Sequence, residues 1–242
     1  MTLDGWELVL LRITGIVDEE GNVFDLRRPE KPPVLFVHGQ DRDALSWLDG
    51  ADGKPVMFEL VDAGYDVWMG NSRASAFSYC VSHIADSCSD TGLSFWRMGR
   101  FDDPAMVNEI RRVTGHPKIT YIGYSMGNTQ LFYSISKKGE SYWTERLHNF
   151  IALAPCNWPA TSDLADIQTL HVHFMVAEHD ENCPNAGYAY SLIPSPNKSW
   201  HLVEQHDHYY FDWASPETGE RLYLEKLIEA IESGSVQVDQ GF

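Results

Sequence analysis

Residues Ile119-Thr120-Tyr121-Ile122-Gly123-Tyr124-Ser125-Met126-Gly127-Asn128 decide how this chain is read. The run from Ile119 to Ile122 is apolar and β-branched, as in a buried strand, and the segment from Asn128 to about Lys137 has helical spacing. The order is therefore strand, sharp turn, helix. A serine at the middle of G-x-S-x-G on such a turn is forced into strained backbone geometry. The flanking glycines remove the Cβ atoms that would collide with neighbouring backbone. The hydroxyl then stands clear of the sheet. Because the turn opens a helix, the amide of Met126 and the positive end of the helix dipole point where an oxyanion would form.

Working outward, Trp6 to Ile13 reads as a strand and Ile16 to Phe24 as a second, turned at Glu20-Gly21-Asn22, together an antiparallel hairpin. Val34 to Val37 is a short continuous apolar run ending at His38-Gly39. Pro55 to Ala63 has helical spacing, stopped by Gly64 before a strand Tyr65 to Met69. Asp102 to Val113 is a further helix, with Pro104 in its first turn and Gly115 just beyond its end. After the serine, Phe150 to Ala154, His171 to Val176 and Ser199 to Val203 read as strands. Ala186 to Ile193 and Pro216 to about Ile231 read as helices. This alternation predicts an α/β fold, a mostly parallel central sheet flanked by helices, in one domain spanning 1–242. Only a short segment, about 156–170, separates two of the strands, and residues 233–242 read as a frayed tail.

Composition excludes several alternatives. Lys and Arg number 18 against 35 Asp and Glu, and the net charge of −17 would repel nucleic acid. A sequence pI of about 4.8 means that this charge would largely vanish in an acidic compartment. There is no apolar run long enough to cross a bilayer. The residues after Met1 carry Asp4 and Gly5 rather than a basic and then an apolar region, so no signal peptide is visible. Cys80, Cys88, Cys156 and Cys183 form no C-x-x-C pair, which disfavours zinc, and they read as buried thiols in preference to a small Cys80–Cys88 loop. Asn197-Lys198-Ser199 matches a glycan acceptor but carries little weight alone.

When a G-x-S-x-G serine sits on a strand-to-helix turn, an acid and then a histidine are expected downstream, each past the end of another strand. Ser125, Asp180 and His208 satisfy that order. Ser125 would attack an acyl carbon, His208 would take and return the proton, and Asp180 would orient the imidazole. The oxyanion would be held by the backbone amides of Met126 and Gln40, the latter on the loop after His38-Gly39. Glu178 and Glu181 compete with Asp180 for the acid, and His206 competes with His208 for the base. His38 reads as a structural tie, His201 lies inside a strand, and His171, His173 and His179 read as ordinary strand-end histidines. Trp158, Trp200, Trp213, Tyr209 and Tyr210 read as core or rim aromatics. No metal or organic cofactor is called for.

Several blocks together resemble the acid lipase family of α/β-hydrolases, the gastric and lysosomal lipases. They are Asp4-Gly5-Trp6 with Leu11-Arg12-Ile13, Lys31-Pro32-Pro33-Val34-Leu35 into His38-Gly39, and the long run from Leu60 to Gly70-Asn71-Ser72-Arg73. Phe95-Trp96, Asp103-Pro104-Ala105, Thr114-Gly115, Ala152-Leu153-Ala154-Pro155, and His208 with Phe211 and Trp213 extend the likeness. The resemblance implies the α/β-hydrolase fold, a lipase or esterase, Ser125, Asp180 and His208 as triad, Gln40 and Met126 as oxyanion donors, and secretion or the lysosome. Lipid or small ester substrates and peripheral contact with lipid surfaces are its implied partners. Three departures stand out. Tyr124 and Met126 occupy places where the family has His and Gln, and Gln40-Asp41-Arg42-Asp43 is more polar than the family's loop. Between Pro155 and His171 the family carries a cap of well over a hundred residues, reduced here to a short link. The chain also starts inside what looks like the family's first strand. Loss of a lid predicts an open site with little interfacial activation. A non-catalytic or truncated protein of this fold, binding lipids or acting as a scaffold, is the alternative, and a thioesterase or amidase would use the same triad.

Overall fold

A computed structural model describes residues 1–17, 20–25, 31–48, 55–81, 94–156, 161–211 and 223–235. Its strands are β1 (Trp6–Glu7), β2 (Leu10–Arg12), β3 (Gly15–Val17), β4 (Val23–Asp25), β5 (Pro33–Val37), β6 (Asp66–Gly70), β7 (Tyr79–Cys80), β8 (Ile119–Tyr124), β9 (Leu147–Leu153), β10 (His171–Ala177) and β11 (Lys198–Val203). Its helices are α1 (Val56–Asp62), α2 (Phe95–Arg97), α3 (Asp103–Thr114), α4 (Met126–Lys138), α5 (Glu140–Thr144), α6 (Ala186–Leu192) and α7 (Leu224–Ser235).

Seven strands form the central sheet in the order β11-β10-β9-β8-β5-β6-β2, parallel throughout except for β2. The continuous apolar runs follow from burial on both faces: every residue of β5, β6 and β8 is buried. On one face, Val56, Met57 and Leu60 of α1 and Leu227 and Ile231 of α7 join a core with Phe36, Val67 and Ile151. On the other, Val107 and Ile110 of α3 and Leu131 and Ile135 of α4 pack with Leu35, Tyr121 and Phe150. The expected α/β architecture with a mostly parallel sheet is thus present. The left-handed residues expected after α3 and after α1 are Gly115 at φ 77° and Gly64 at φ 89°.

The amino-terminal part departs from expectation. The predicted first strand splits, so that β1 pairs with β7, β2 joins the sheet edge against β6, and the hairpin forms between β3 and β4 instead. Arg12 explains the attachment of β2, because its guanidinium grips Asp66 at 2.8 Å and lies over the Trp68 ring. The predicted free thiols are a second correction: Cys156 is joined to Cys183, Cys80 is disulfide-bonded as well, and no described cysteine is free. Cys88 lies outside the described residues, as do Trp158 and Trp213.

The last helix runs past its predicted end. Residues 216–222 lie outside the described residues, while α7 continues to Ser235, into the segment read as tail. Two buried polar side chains hold its final turns. Asn149 of β9 donates from Nδ2 to the carbonyls of Ala230 and Ile231. His173 of β10, read from sequence as an ordinary strand-end residue, is buried between Ser199 and Ser233. Ser233 spends its proton on the Ala230 carbonyl, so His173 donates from Nε2 to Ser233, while Nδ1 pairs with the Ser199 hydroxyl.

Burial pushes His173 down to about 4, from 6.5 for a free side chain. The unfolded chain therefore takes up a proton that the native ring refuses. The stability due to this site is fully present above about pH 6.5 and is lost as pH falls toward 4. The size is about 3 kcal/mol. Denaturant titrations of wild type and His173→Gln at about pH 7 and about pH 4.5 will show a steeper acid loss in wild type; equal losses would remove His173 as the cause.

Candidate active site

Ser125 has φ 51° and ψ −113°, a backbone that side chains other than glycine rarely adopt. Close packing over-determines it. A Cβ on Gly127 would lie 2.5 Å from the Val37 carbonyl, and one on Gly123 would lie 2.5 Å from Asn128 Oδ1. Asn128 donates its amide to the Ser125 carbonyl and its side-chain nitrogen to the Leu153 carbonyl, while the Ser125 amide also reaches Leu153. The helix after the serine begins at Met126, earlier than the Asn128 expected from spacing, so the Met126 amide lies at its first turn.

Three side chains from the ends of β8, β10 and β11 meet here. Ser125 Oγ is 3.0 Å from His208 Nε2, and both carboxylate oxygens of Asp180 are 2.9 Å from His208 Nδ1. All three are buried. A carboxylate on Nδ1 fixes the proton there, so Nε2 is bare and accepts from the serine hydroxyl. Asp180 is held in turn by the amide of Cys183 at 2.9 Å.

The competing residues face elsewhere. Glu178 accepts the Gln205 amide and Glu181 is exposed. His206 stacks on Tyr210 with ring centres 3.8 Å apart. His38 accepts the Ser72 amide at Nε2 and donates from Nδ1 to the Gly39 carbonyl, and burial holds it below the usual histidine range. It ties the loop rather than facing Ser125. Gln40 follows Gly39, at which a Cβ would stand 3.2 Å from Ser125 Cβ. The loop therefore passes directly over the serine. Beside it, a cleft of about 550 Å³ is lined by His38, Asp41, Arg42, Ala74, Met98 and Met126, among others. Of the described residues, the one trio spaced like metal ligands is Cys156, Cys183 and His208, within 4.8 Å, and both its sulfurs are in the disulfide.

The partner of Tyr124 escaped the sequence reading. The tyrosine hydroxyl donates to the His208 carbonyl at 3.2 Å, and its ring lies against the His208 imidazole. No local pattern announces a partner so distant in the chain. The disulfide escaped as well: Cys156 Sγ lies 3.5 Å from Ser125 Oγ and Cys183 Sγ 3.4 Å from His208 Nδ1.

Residues 32–209 match the family described as alpha/beta hydrolase fold. The chain is 37% identical to human lipase member M over 155 residues, covering 64% of this chain and 35% of that protein. It is 35% identical to rat gastric triacylglycerol lipase over 156 residues, covering 64% of this chain and 38% of that one. The chain thus spans little more than a third of the length of these relatives, which are of the acid lipase kind that the sequence blocks resemble. A monoacylglycerol lipase from Paleococcus ferrophilus superposes with a TM-score of 0.66 at 13% identity, covering 94% of this chain and 99% of that one, a likeness of fold.

Two substitutions test the geometry. Replacing Ser125 by Gly removes the backbone strain, and Ser125→Gly should be more stable than Ser125→Ala by about 1–2 kcal/mol; equal denaturation midpoints would mean that the turn stores none. Tyr124→Phe keeps the ring but frees the His208 carbonyl. If His208 acts as the base of an ester hydrolase, turnover should fall roughly fivefold to tenfold with little change in KM, the order expected from losing about 1 kcal/mol of hydrogen bonding to it.

Proposed function

The chain belongs to the alpha/beta hydrolase fold family, and we propose that it is a serine hydrolase cleaving carboxylic esters of lipids through an acyl-enzyme intermediate. The observation that carries this reading is the unbroken hydrogen-bonded path from Ser125 Oγ through His208 to Asp180. On it, Ser125 attacks the acyl carbon while its proton passes to His208 Nε2. Asp180 keeps the imidazolium oriented and stabilised without taking its proton. The oxyanion is received by the amides of Met126 and Gln40, assisted by the N-terminal end of α4. His208 then protonates the departing alcohol, and a water activated by the same imidazole releases the acid.

The substrate class rests on the surroundings. Human lipase member M and rat gastric triacylglycerol lipase favour a lipid ester. The segment 154–170 between β9 and β10 leaves little chain to close over Ser125. Asp41, Arg42 and Asp43 give the adjacent cleft a charged rim. An open site with such a rim admits soluble short-chain esters and does not need a lipid surface to uncover it.

Purified protein should hydrolyse p-nitrophenyl butyrate and p-nitrophenyl palmitate between about pH 4 and about pH 9, and Ser125→Ala should lose both activities. Comparable rates on either side of micelle formation are expected. Strong activation at the lipid surface would overturn the open-site reading, and a folded protein no better than Ser125→Ala would point to the non-catalytic alternative.

A further inference from the structure

The link after β9 and the loop after β10 meet in the Cys156–Cys183 disulfide, and its two sulfurs have unequal surroundings. Cys183 is buried with its sulfur 3.4 Å from His208 Nδ1. Cys156 is only half-buried, with its sulfur 3.5 Å from Ser125 Oγ. Of the two half-cystines, Cys156 is the one more open to solvent. Each backbone also has a tie besides the sulfur bridge. The Cys156 carbonyl accepts from Thr129 Oγ1 on α4, and the Cys183 amide is held by Asp180.

We propose that Cys156 is a thiol-exchange site, through which a small-molecule thiol of the glutathione type reversibly blocks Ser125. The inference rests on the hydrolase reading above for its functional consequence. In the exchange, the thiol sulfur bonds to Cys156 Sγ as the Cys156–Cys183 bond breaks. The incoming sulfur is oxidised, Cys183 is reduced, and the thiol's proton ends on Cys183. The departing thiolate leaves 3.4 Å from the protonated Nδ1 of His208, which stabilises its charge until it takes up the thiol's proton through solvent. The product is a mixed disulfide on Cys156, whose added group occupies the space that an acyl carbon must enter to reach Ser125 Oγ. A second thiol attacking the mixed disulfide releases the blocking group as a disulfide dimer and restores access, leaving two cysteine thiols.

The test uses the full chain. Protein is incubated with glutathione, quenched in acid, and mapped by mass spectrometry, while a fluorophosphonate probe reads the reactivity of Ser125 in parallel. Expected are an adduct on Cys156 rather than Cys183, loss of Ser125 labelling in proportion to the adduct, and recovery with dithiothreitol. In Cys156→Ser/Cys183→Ser the labelling rate should not respond to glutathione. The proposal is overturned by a disulfide that survives glutathione in the folded protein, by an adduct on Cys183 or on Cys80 alone, or by an adduct on Cys156 that leaves labelling unchanged. A Ser125 that never labels in untreated protein sinks the hydrolase reading and the block with it, whereas the adduct map still decides whether Cys156 exchanges.

Discussion

The carbonyl of Val37 lies where a side chain on residue 127 would have to be, 2.5 Å from the position of its Cβ. That contact lets the helix after the serine rest on the end of β5, and the rest of the site is aligned through it. It fixes the start of α4, which fixes the turn, which holds Ser125 in a conformation that its own backbone disfavours. The same crossing brings Gly39 over the serine, so the loop carrying Gln40 passes close by it. Strain at one residue is sustained by packing at several others, and the hydroxyl is aimed before any substrate arrives.

The run Gly70-Asn71-Ser72-Arg73 has a physical meaning that its composition does not reveal. Asn71 receives the Ala44 amide and donates to the Val9 carbonyl, joining the loop after β5 to the amino-terminal strands. The Ser72 amide holds His38. Arg73, fully buried, spreads its guanidinium over Asp4 and Asp102 at 2.8 Å each. Burial pushes the Asp102 carboxyl up, to about 6, against the pull of that guanidinium. Breaking such a buried pair from one side leaves a charge without a partner, which costs far more than the intact pair contributes. The run therefore works as a junction of three segments rather than as a part of the chemistry.

Much of this was legible in the sequence because period and punctuation are local. Buried parallel strands announce themselves as apolar runs, and glycines past α1 and α3 mark their ends. The order serine, acid, histidine could be read because each residue follows a recognisable strand. Long-range pairing was not legible. Nothing near Tyr124 points to the His208 carbonyl, nothing near Cys156 points to Cys183, and the two serines that pair with His173 sit on β11 and α7. The opening hairpin was misplaced for the same reason. Alternation identifies a strand but not its partner, and the partner of β2 was chosen by Arg12 reaching Asp66.

The order of the strands also bears on how the chain acquires its shape. From β8 to β11 each strand lies beside its neighbour in sequence, whereas β5 meets β8 across the whole segment from Val34 to Thr120. Closing short connections costs less chain entropy than closing long ones, so the carboxyl-terminal half of the sheet is the faster to assemble. Ser125, Asp180 and His208 all belong to that half, while His38, Gly39 and Gln40 arrive with β5. Ser125, Asp180 and His208 are therefore brought together by short connections, whereas the loop carrying Gln40 depends on the long closure between β5 and β8.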